Sequence, residues 1–599
     1  MTAPLHVMNS VPDRLTALRQ KMQANAVDAC IITNFDPHNS EYAGTHWLAR
    51  EYFSGFTGSA GDLVVLANGG GGLWTDGRYT IQATEQLSGT DIDLFRSRVE
   101  GAPSIAVHLA DVLQAEATVS VAGNTINVTL YQELEQAFAS TRIQLRCDLD
   151  LPGSLWLDRP DRSTSTAIDY PIEFSGSSTS EKLAALRSSL ATAGTDAIII
   201  AALPDLCWLL NIRGADVPYC PLVEGFLYIT EALAVFCVVP EKISSDLTER
   251  LLSEGVTIKD YDEIDTLAGT SQGTVSLCPL TINSDIYRAV KEVATIRLEA
   301  PPTELVKAQK NPVELSVFRD ALRYDGVAMV RFARWLETNV PKEKVTELTA
   351  EQALREYRAE LPNFLEESFH TIAGYGPHGA LMHYAATEDS SVVVGEDSLF
   401  LVDSGGQYLG GTTDVTRTFA FGEINPQQRL DYTRVLQAVI RLSQTQFRKG
   451  ARGCNLDIMA RGVLWQHGID YECGTGHGVG QCLVVHEGPQ GFSQRLSDAP
   501  LLPNMSITNE PGIYRAGRHG VRIENIMLVV ETQETEFGSF YGFETLTLAP
   551  IQTAPLDIDK LSTEEKRWLN EYHERVLIEL SPLLGAEDRQ WLEHACEPI

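Results

Sequence analysis

Hydrophobic residues near the start of the chain recur at helical spacing. Across residues 14–29, Leu15, Leu18 and Met22 fall on one face, which predicts an amphipathic helix. The continuous run Ala29-Cys-Ile-Ile-Thr then predicts a buried strand. A turn-rich segment, Phe53-Ser-Gly-Phe-Thr-Gly-Ser-Ala-Gly, precedes a second apolar run, Leu63-Val-Val-Leu. Asn68-Gly-Gly-Gly-Gly predicts a hairpin loop into Leu73-Trp-Thr-Asp-Gly-Arg-Tyr. Those glycines are not a phosphate cradle, because no Lys-Ser/Thr follows them and a strand does.

The opening pattern returns later. Leu18-Arg-Gln-Lys-Met-Gln-Ala-Asn-Ala-Val-Asp-Ala aligns with Leu186-Arg-Ser-Ser-Leu-Ala-Thr-Ala-Gly-Thr-Asp-Ala, and an Ile-rich strand follows each. The offset is far longer than the roughly 20–50 residues of a solenoid repeat, so a duplicated α/β domain is expected. Ser/Thr-rich pieces at Arg162-Ser-Thr-Ser-Thr and Ser175-Gly-Ser-Ser-Thr-Ser bracket the expected linker. A third unit opens at Lys310-Asn-Pro-Val-Glu-Leu. There Asn311 and Glu314 form a capping box and Pro312 suits the first helical turn. The helix is expected to bury Leu315, Phe318, Leu322 and Val330. From residue 555 onward a helical tail is expected, anchored by Trp568, Leu569 and Tyr572.

At 599 residues the chain exceeds a single core, so two to four domains are expected. A formal charge of −33 argues against nucleic-acid and anionic-membrane partners, which need a basic face. No run of apolar residues is long enough to span a membrane. The first ten residues lack the basic-then-apolar form of a signal peptide. Ten scattered cysteines without a CxxC pair read as reduced thiols of a cytoplasmic protein.

The candidate chemistry lies in the last third. Asp403 follows the apolar run Ser398-Leu-Phe-Leu-Val. Asp414 and Arg417 flank the start of a second strand-like run. His477 sits in Gly474-Thr-Gly-His-Gly-Val-Gly, where small residues let backbone and ligand approach. Glu510 begins Glu-Pro-Gly-Ile-Tyr, and Glu524 ends Val521-Arg-Ile-Glu. Four carboxylates gathered at strand ends beside one imidazole would repel one another, raise several pKa values and leave some protons on. Two divalent cations would cancel the four charges. An oxygen-rich set with a single His suits Mn²⁺, Co²⁺, Fe²⁺ or Zn²⁺. Such a metal pair can share a hydroxide.

These segments resemble the pita-bread metallopeptidases, and specifically the aminopeptidase P family in its long, three-domain form. The resemblance is carried by Leu401-Val-Asp-Ser-Gly-Gly-Gln-Tyr, Gly411-Thr-Thr-Asp-Val-Thr-Arg-Thr, Gly474-Thr-Gly-His-Gly-Val-Gly, Val485-His-Glu-Gly-Pro, Asn509-Glu-Pro-Gly-Ile-Tyr and Gly520-Val-Arg-Ile-Glu-Asn. Successive candidate ligands lie 11, 63, 33 and 14 residues apart, as in that family. The resemblance implies an α/β (α+β) chain with two related N-terminal creatinase-like α/β domains, 1–165 and 166–310. A catalytic pita-bread domain with a helical tail follows, 311–599. It implies hydrolysis of the bond between an N-terminal residue and proline by a hydroxide bridging two divalent metals. The expected cofactor is Mn²⁺, with Zn²⁺ or Co²⁺ as alternatives, and the expected assembly is a homodimer. The implied metal ligands are Asp403, Asp414, His477, Glu510 and Glu524, with Glu510 also the general base and acid. His383 and His486 are the implied partners of the scissile carbonyl, and Tyr514 lies near the substrate. Arg522 is a candidate partner for a ligand carboxylate. Cys473 stands where the family has His, which alters the pocket for the residue after the scissile bond. His370 and His378 match no family position and read as incidental. The alternatives are an Xaa-Pro dipeptidase or another peptidase of this fold, and a silent binding module, against which the intact ligand set argues.

Overall fold

The computed structural model describes residues 10–97, 101–342 and 344–599. The reading of the first ten residues falls outside these, apart from Ser10. The chain divides into two compact units. One comprises residues 1–169 and 177–303, the other 170–176 and 304–599.

The first unit holds two six-stranded sheets with one topology. In the first sheet the spatial order is Asp93–Arg96, Gly71–Thr75, Asp62–Leu66, Ala29–Ile32, Thr118–Val121, Gln144–Arg146. The second runs Thr257–Lys259, Ala234–Val238, Gly225–Thr230, Ala197–Ile200, Thr274–Leu277, Thr295–Leu298. Parallel and antiparallel pairings fall at the same places in both. The expected duplication is therefore realised strand for strand. The repeated leucines do equivalent work. Leu15, Leu18 and Met22 are buried on the helix Val11–Ala24, as are Leu183, Leu186 and Leu190 on Thr179–Ala193. The two sheets share an apolar core that includes Val128 and Leu134 from one half and Ile286 and Val290 from the other.

Two local readings change. The first helix runs Val11–Ala24 rather than through residue 29, because Asn25 caps it and Ala26 takes φ 53°, a left-handed backbone that ends the helix. The serine run at 175–180 is partly a helix start. Ser178 and Glu181 form a capping box for Thr179–Ala193. The glycine tract does join two antiparallel strands, with Asp62 facing Trp74.

The second unit opens, as expected, on a capping box. Asn311 accepts from the Val313 and Glu314 amides, and the Glu314 carboxylate accepts from the Asn311 amide. The resulting helix, Pro312–Asn339, buries Phe318, Leu322 and Val330, while Leu315 is half-buried. It helps enclose an antiparallel sheet of Ile372–Tyr375, Phe400–Ser404 and Val415–Phe419. A four-stranded sheet joins Phe447–Arg448, Gly538–Thr545, Asn525–Thr535 and Ser506–Asn509. A three-stranded sheet of Phe364–Glu367, Gly406–Tyr408 and Gly411–Thr412 and two short antiparallel pairs, Gly512–Arg515 with His519–Arg522 and Gly476–His477 with Gly491–Phe492, complete the strands of this unit among the described residues. The tail is helical over Thr563–Leu580 and Ala586–Ala595. Leu569 and Tyr572 are buried in it, and Trp568 stacks on Tyr572. No helix among the described residues is long and apolar enough to cross a membrane. None of the ten cysteines forms a disulfide.

One electrostatic clamp fixes the hairpin that ends at Arg522. Arg515 and His519 face each other across that hairpin. Both reach Asp431, a fully buried residue of the helix Pro426–Ser443. Burial alone would raise the Asp431 carboxyl, but bonds from Arg515, His519 and Gln427 outweigh it and hold its pKa at about 2. Folded Asp431 thus stays ionised at pH values where the unfolded chain takes up a proton. The stability it contributes is complete above the ordinary aspartate pKa and is lost as pH falls toward 2. Acid unfolding followed by circular dichroism checks this. Asp431→Asn should lower stability at neutral pH, by about 1.5–3 kcal/mol for lost bonds to charged groups. It should also flatten the dependence below pH 4, and an unchanged acid limb would contradict the assignment.

Candidate metal centre

Strand register brings the candidate ligands together. Asp403 ends an apolar strand and faces Thr416 on the neighbouring one, with Asp414 just before that strand begins. On the other sheet Asn509 faces Asn525. The next antiparallel step, one residue on and one back, sets Glu510 opposite Glu524. His477 comes from a short hairpin whose glycines permit the approach. A Cβ on Gly476 would lie 2.0 Å from the Thr508 carbonyl oxygen, and one on Gly478 2.0 Å from that of Glu487.

The resulting geometry is compact. His477 Nε2 lies 3.4 Å from Asp414 Oδ2 and 3.3 Å from Glu510 Oε1. One donor atom each from Asp414, His477 and Glu524 lies within 4.8 Å of the other two. The imidazole is oriented from behind. Its Nδ1 lies 2.9 Å from the Gly478 carbonyl, so an Nδ1–H donates there and the Nε2 lone pair faces the carboxylates. The Thr508 hydroxyl donates to Glu510 Oε1 at 3.1 Å and accepts from the His477 amide at 2.9 Å.

Asp403, Asp414 and Glu524 are buried, while His477 and Glu510 are half-buried. Burial, then Asp403 and Glu510, push the Asp414 carboxyl well above the usual carboxylate range. Burial, then Asp414, Glu510 and Asp403, do the same at Glu524. Arg522 brings a cation into direct contact with the cluster. It donates to Asp403 Oδ2, and its Nη1 donates to the Tyr514 hydroxyl at 2.6 Å. The Thr416 hydroxyl donates to Glu524 Oε2 at 2.7 Å. The other oxygens of those two carboxylates, Asp403 Oδ1 and Glu524 Oε1, are buried and accept no hydrogen bond. Buried acceptors are seldom left unmet. Two orphaned carboxylate oxygens in an oxygen-rich set with one imidazole fit divalent cations.

The remaining expected residues lie around this centre. The rings of His486 and His477 meet edge to face, 4.3 Å between centroids. His383 lies beside Met382, whose carbonyl accepts from Arg522. Cys473 and Tyr514 both pack against the apolar cluster that contains Tyr471 and Ile513. The Cys473 backbone is held by Arg461, which donates to its carbonyl and to that of Tyr471. Arg522 was expected near a candidate ligand carboxylate, and the carboxylate it contacts is that of Asp403.

Several supporting residues carry no sequence signal of their own. Glu347 is fully buried and accepts from the Tyr375 amide, His378 Nδ1, the Tyr384 hydroxyl and the Val392 amide. It thereby gathers the loop that presents His383, so His378 is a structural clamp rather than an incidental histidine. Arg417 is buried, and among the described residues it donates to no carboxylate. It donates to the carbonyls of Thr416, Glu524, Ala549 and Pro550, to Asn525 Oδ1 and to the Tyr572 hydroxyl.

Comparison with known proteins accounts for this architecture. Residues 316–531 match the model of metallopeptidase family M24, and 539–599 that of the C-terminal region of peptidase M24. Residues 14–145 and 158–314 match creatinase/prolidase N-terminal domain models. Aminopeptidase P1 of Arabidopsis thaliana is 35% identical, over 98% of this chain and 99% of that protein. Aminopeptidase P1 of Lotus japonicus is 34% identical over the same shares. The chain belongs to the aminopeptidase P family. A solved X-prolyl aminopeptidase from Caenorhabditis elegans, described as a cytosolic enzyme with a di-nuclear active site, superposes with a TM-score of 0.94. It is 31% identical and covers 99% of this chain, all of its own length being matched. An Xaa-Pro dipeptidase from Bacillus anthracis matches only 62% of this chain, with a TM-score of 0.51 at 25% identity. In this aminopeptidase P family member the C-terminal pita-bread fold and both creatinase-like domains are therefore present.

Proposed function

We propose that this protein is an Xaa-Pro aminopeptidase, which removes the N-terminal residue from peptides with proline in second position. The observation that carries the metal dependence is the pair of buried, unmet oxygens on Asp403 and Glu524, set among five metal-ligand candidates, and the full-length likeness to aminopeptidase P1 and to the X-prolyl aminopeptidase supports the specificity. Asp403, Asp414, His477, Glu510 and Glu524 would hold two divalent cations, with Mn²⁺ the first expectation and Zn²⁺ or Co²⁺ the alternatives. When bound, the cations supply Lewis acidity and a water of lowered pKa. Glu510, half-buried and oriented by Thr508, takes the proton of the attacking water and returns it to the departing proline nitrogen. His383 and His486 donate to the scissile carbonyl oxygen as it gains charge. Arg522 holds Asp403 and Tyr514 in fixed positions beside the substrate. The domain division is proposed at 1–165, 166–310 and 311–599, the assembly as a homodimer and the compartment as the cytoplasm.

The deciding experiment is mass spectrometry of Xaa-Pro-Yaa peptides incubated with Mn²⁺-loaded protein. Release of the first residue from tripeptides and longer supports the reading. Cleavage confined to dipeptides would instead indicate a dipeptidase.

Asp414→Asn should lose at least one metal per chain and nearly all activity while keeping the fold, because an amide is a far weaker ligand. Metal analysis and circular dichroism measure both, and full activity without metal would sink the dinuclear reading. His383→Ala and His486→Ala should keep their metal and lose about 10²–10³ in kcat, the usual effect of removing a donor to a developing oxyanion. Cys473 replaces the histidine expected to contact the residue after the scissile bond. Cys473→His should lower KM by a few-fold to about tenfold, the effect of one added hydrogen bond worth about 0.5–1.5 kcal/mol. Cys473→Ser should remain active. An inactive Ser variant that His does not restore would give the thiol a chemical role of its own.

A further inference from the structure

Immediately before the long helix of the second unit, the chain buries two ammonium groups three residues apart. Lys307 and Lys310 are 4% and 1% exposed. Lys310 Nζ donates to the Val479 carbonyl at 2.7 Å and to Ser506 Oγ at 2.8 Å. Lys307 Nζ pairs with the carboxylate of Glu487, itself 3% exposed. Val479 lies two residues beyond His477, and Glu487 directly follows His486. One short segment therefore grips both loops that carry these histidines.

Those loops are already joined through their backbones. The Glu487 amide donates to the Gly478 carbonyl at 2.8 Å, and the Gly478 amide donates to the Gln490 carbonyl at 3.1 Å. The Gln490 side chain donates to the Ser506 carbonyl at 2.9 Å. The two backbones approach closely at Gly478, where a Cβ would lie 2.0 Å from the Glu487 carbonyl oxygen. His486 is thus held through its neighbour, by the Glu487 amide on one side and the Glu487 carboxylate on the other.

Stability does not explain the choice of an ion pair here. Removing two charges from water is costly, and apolar residues of similar volume often replace a buried pair without loss of stability. What the pair adds is direction. A carboxylate fixed on an ammonium resists rotation at residue 487, which would swing the His486 ring away from His477. An apolar contact at the same place would permit that rotation.

We infer that the buried Lys307–Glu487 pair positions His486, making Lys307 and Glu487 positioning residues for the reaction proposed above. Neither touches the scissile bond. The inference rests on the aminopeptidase reading, and activity of the wild-type protein on an Xaa-Pro-Yaa peptide tests that reading separately within the same assay.

The test compares wild type, Lys307→Met, the double variant Lys307→Met/Glu487→Met, and Lys307→Arg. The single Met variant strands a buried carboxylate and should melt at a markedly lower temperature. The double variant should regain a melting temperature near wild type and keep its metal. Its kcat should nevertheless fall about 10–100-fold, the scale of a misplaced catalytic group, with KM changed far less. Hydrogen exchange of the amides around 484–488 should accelerate in the double variant. Lys307→Arg, which keeps the charge, should retain more kcat than the double variant. Wild-type kcat in a folded, metal-replete double variant would overturn the inference. So would a double variant that fails to fold or loses its metal, since the pair would then be structural only. A wild type inactive on the peptide would instead overturn the functional reading.

Discussion

The carboxylates of Asp403, Asp414, Glu510 and Glu524 converge where little water reaches, and the protein supplies one guanidinium and one imidazole beside them. At these separations like charges repel strongly, and a low-polarity surround magnifies the repulsion. Burial first, and then that repulsion, push the Asp414 and Glu524 carboxyls toward their neutral form. Hydrogen bonds ease only part of it. Arg522 and Thr416 each satisfy one oxygen of a buried carboxylate and leave its twin bare. Much of the second unit can be understood as a frame that holds this unfavourable set in place until cations complete it.

The frame works by tying each site segment to a fixed charge or polar hub. Asp431 anchors the hairpin that delivers Tyr514 and Arg522. Glu347 gathers the loop that presents His383. Asp457 and Arg461 hold the approach to His477 through Thr475 and the carbonyls of Tyr471 and Cys473. None of these hubs belongs to the ligand set. Their common property is burial with several directed bonds each, which is how a polar network specifies one geometry rather than merely filling space.

Features built from near neighbours were legible in the sequence. The Asn311–Glu314 capping box, the hairpin after residue 68 and the duplicated α/β pattern all depend on residues close together, and each is found. The candidate ligands stood out because several unusual segments recur in a fixed order. What escaped was pairing at long range. His378 looked incidental because its partner Glu347 lies in another helix, and only the fold brings the two within 2.8 Å. Glu487 showed only as the residue after a histidine, with nothing to mark Lys307 as its partner. The end of the first helix was misjudged for a local reason. Ala26 adopts a left-handed backbone that its side chain does not advertise.

Arg417 links the centre to the far end of the chain. Its guanidinium lies beneath the strand that follows Asp414, and its acceptors include the Ala549 and Pro550 carbonyls and the Tyr572 hydroxyl. Until those residues exist, this cation has no complete shell and the strand that depends on it cannot settle. During synthesis the candidate ligands Asp403 and Asp414 leave the ribosome long before Tyr572 does. A nascent chain therefore carries all five candidate ligands before it carries the residues that complete the Arg417 shell. The strand that follows Asp414 thus reaches its final hydrogen bonding only when the last helices are in place.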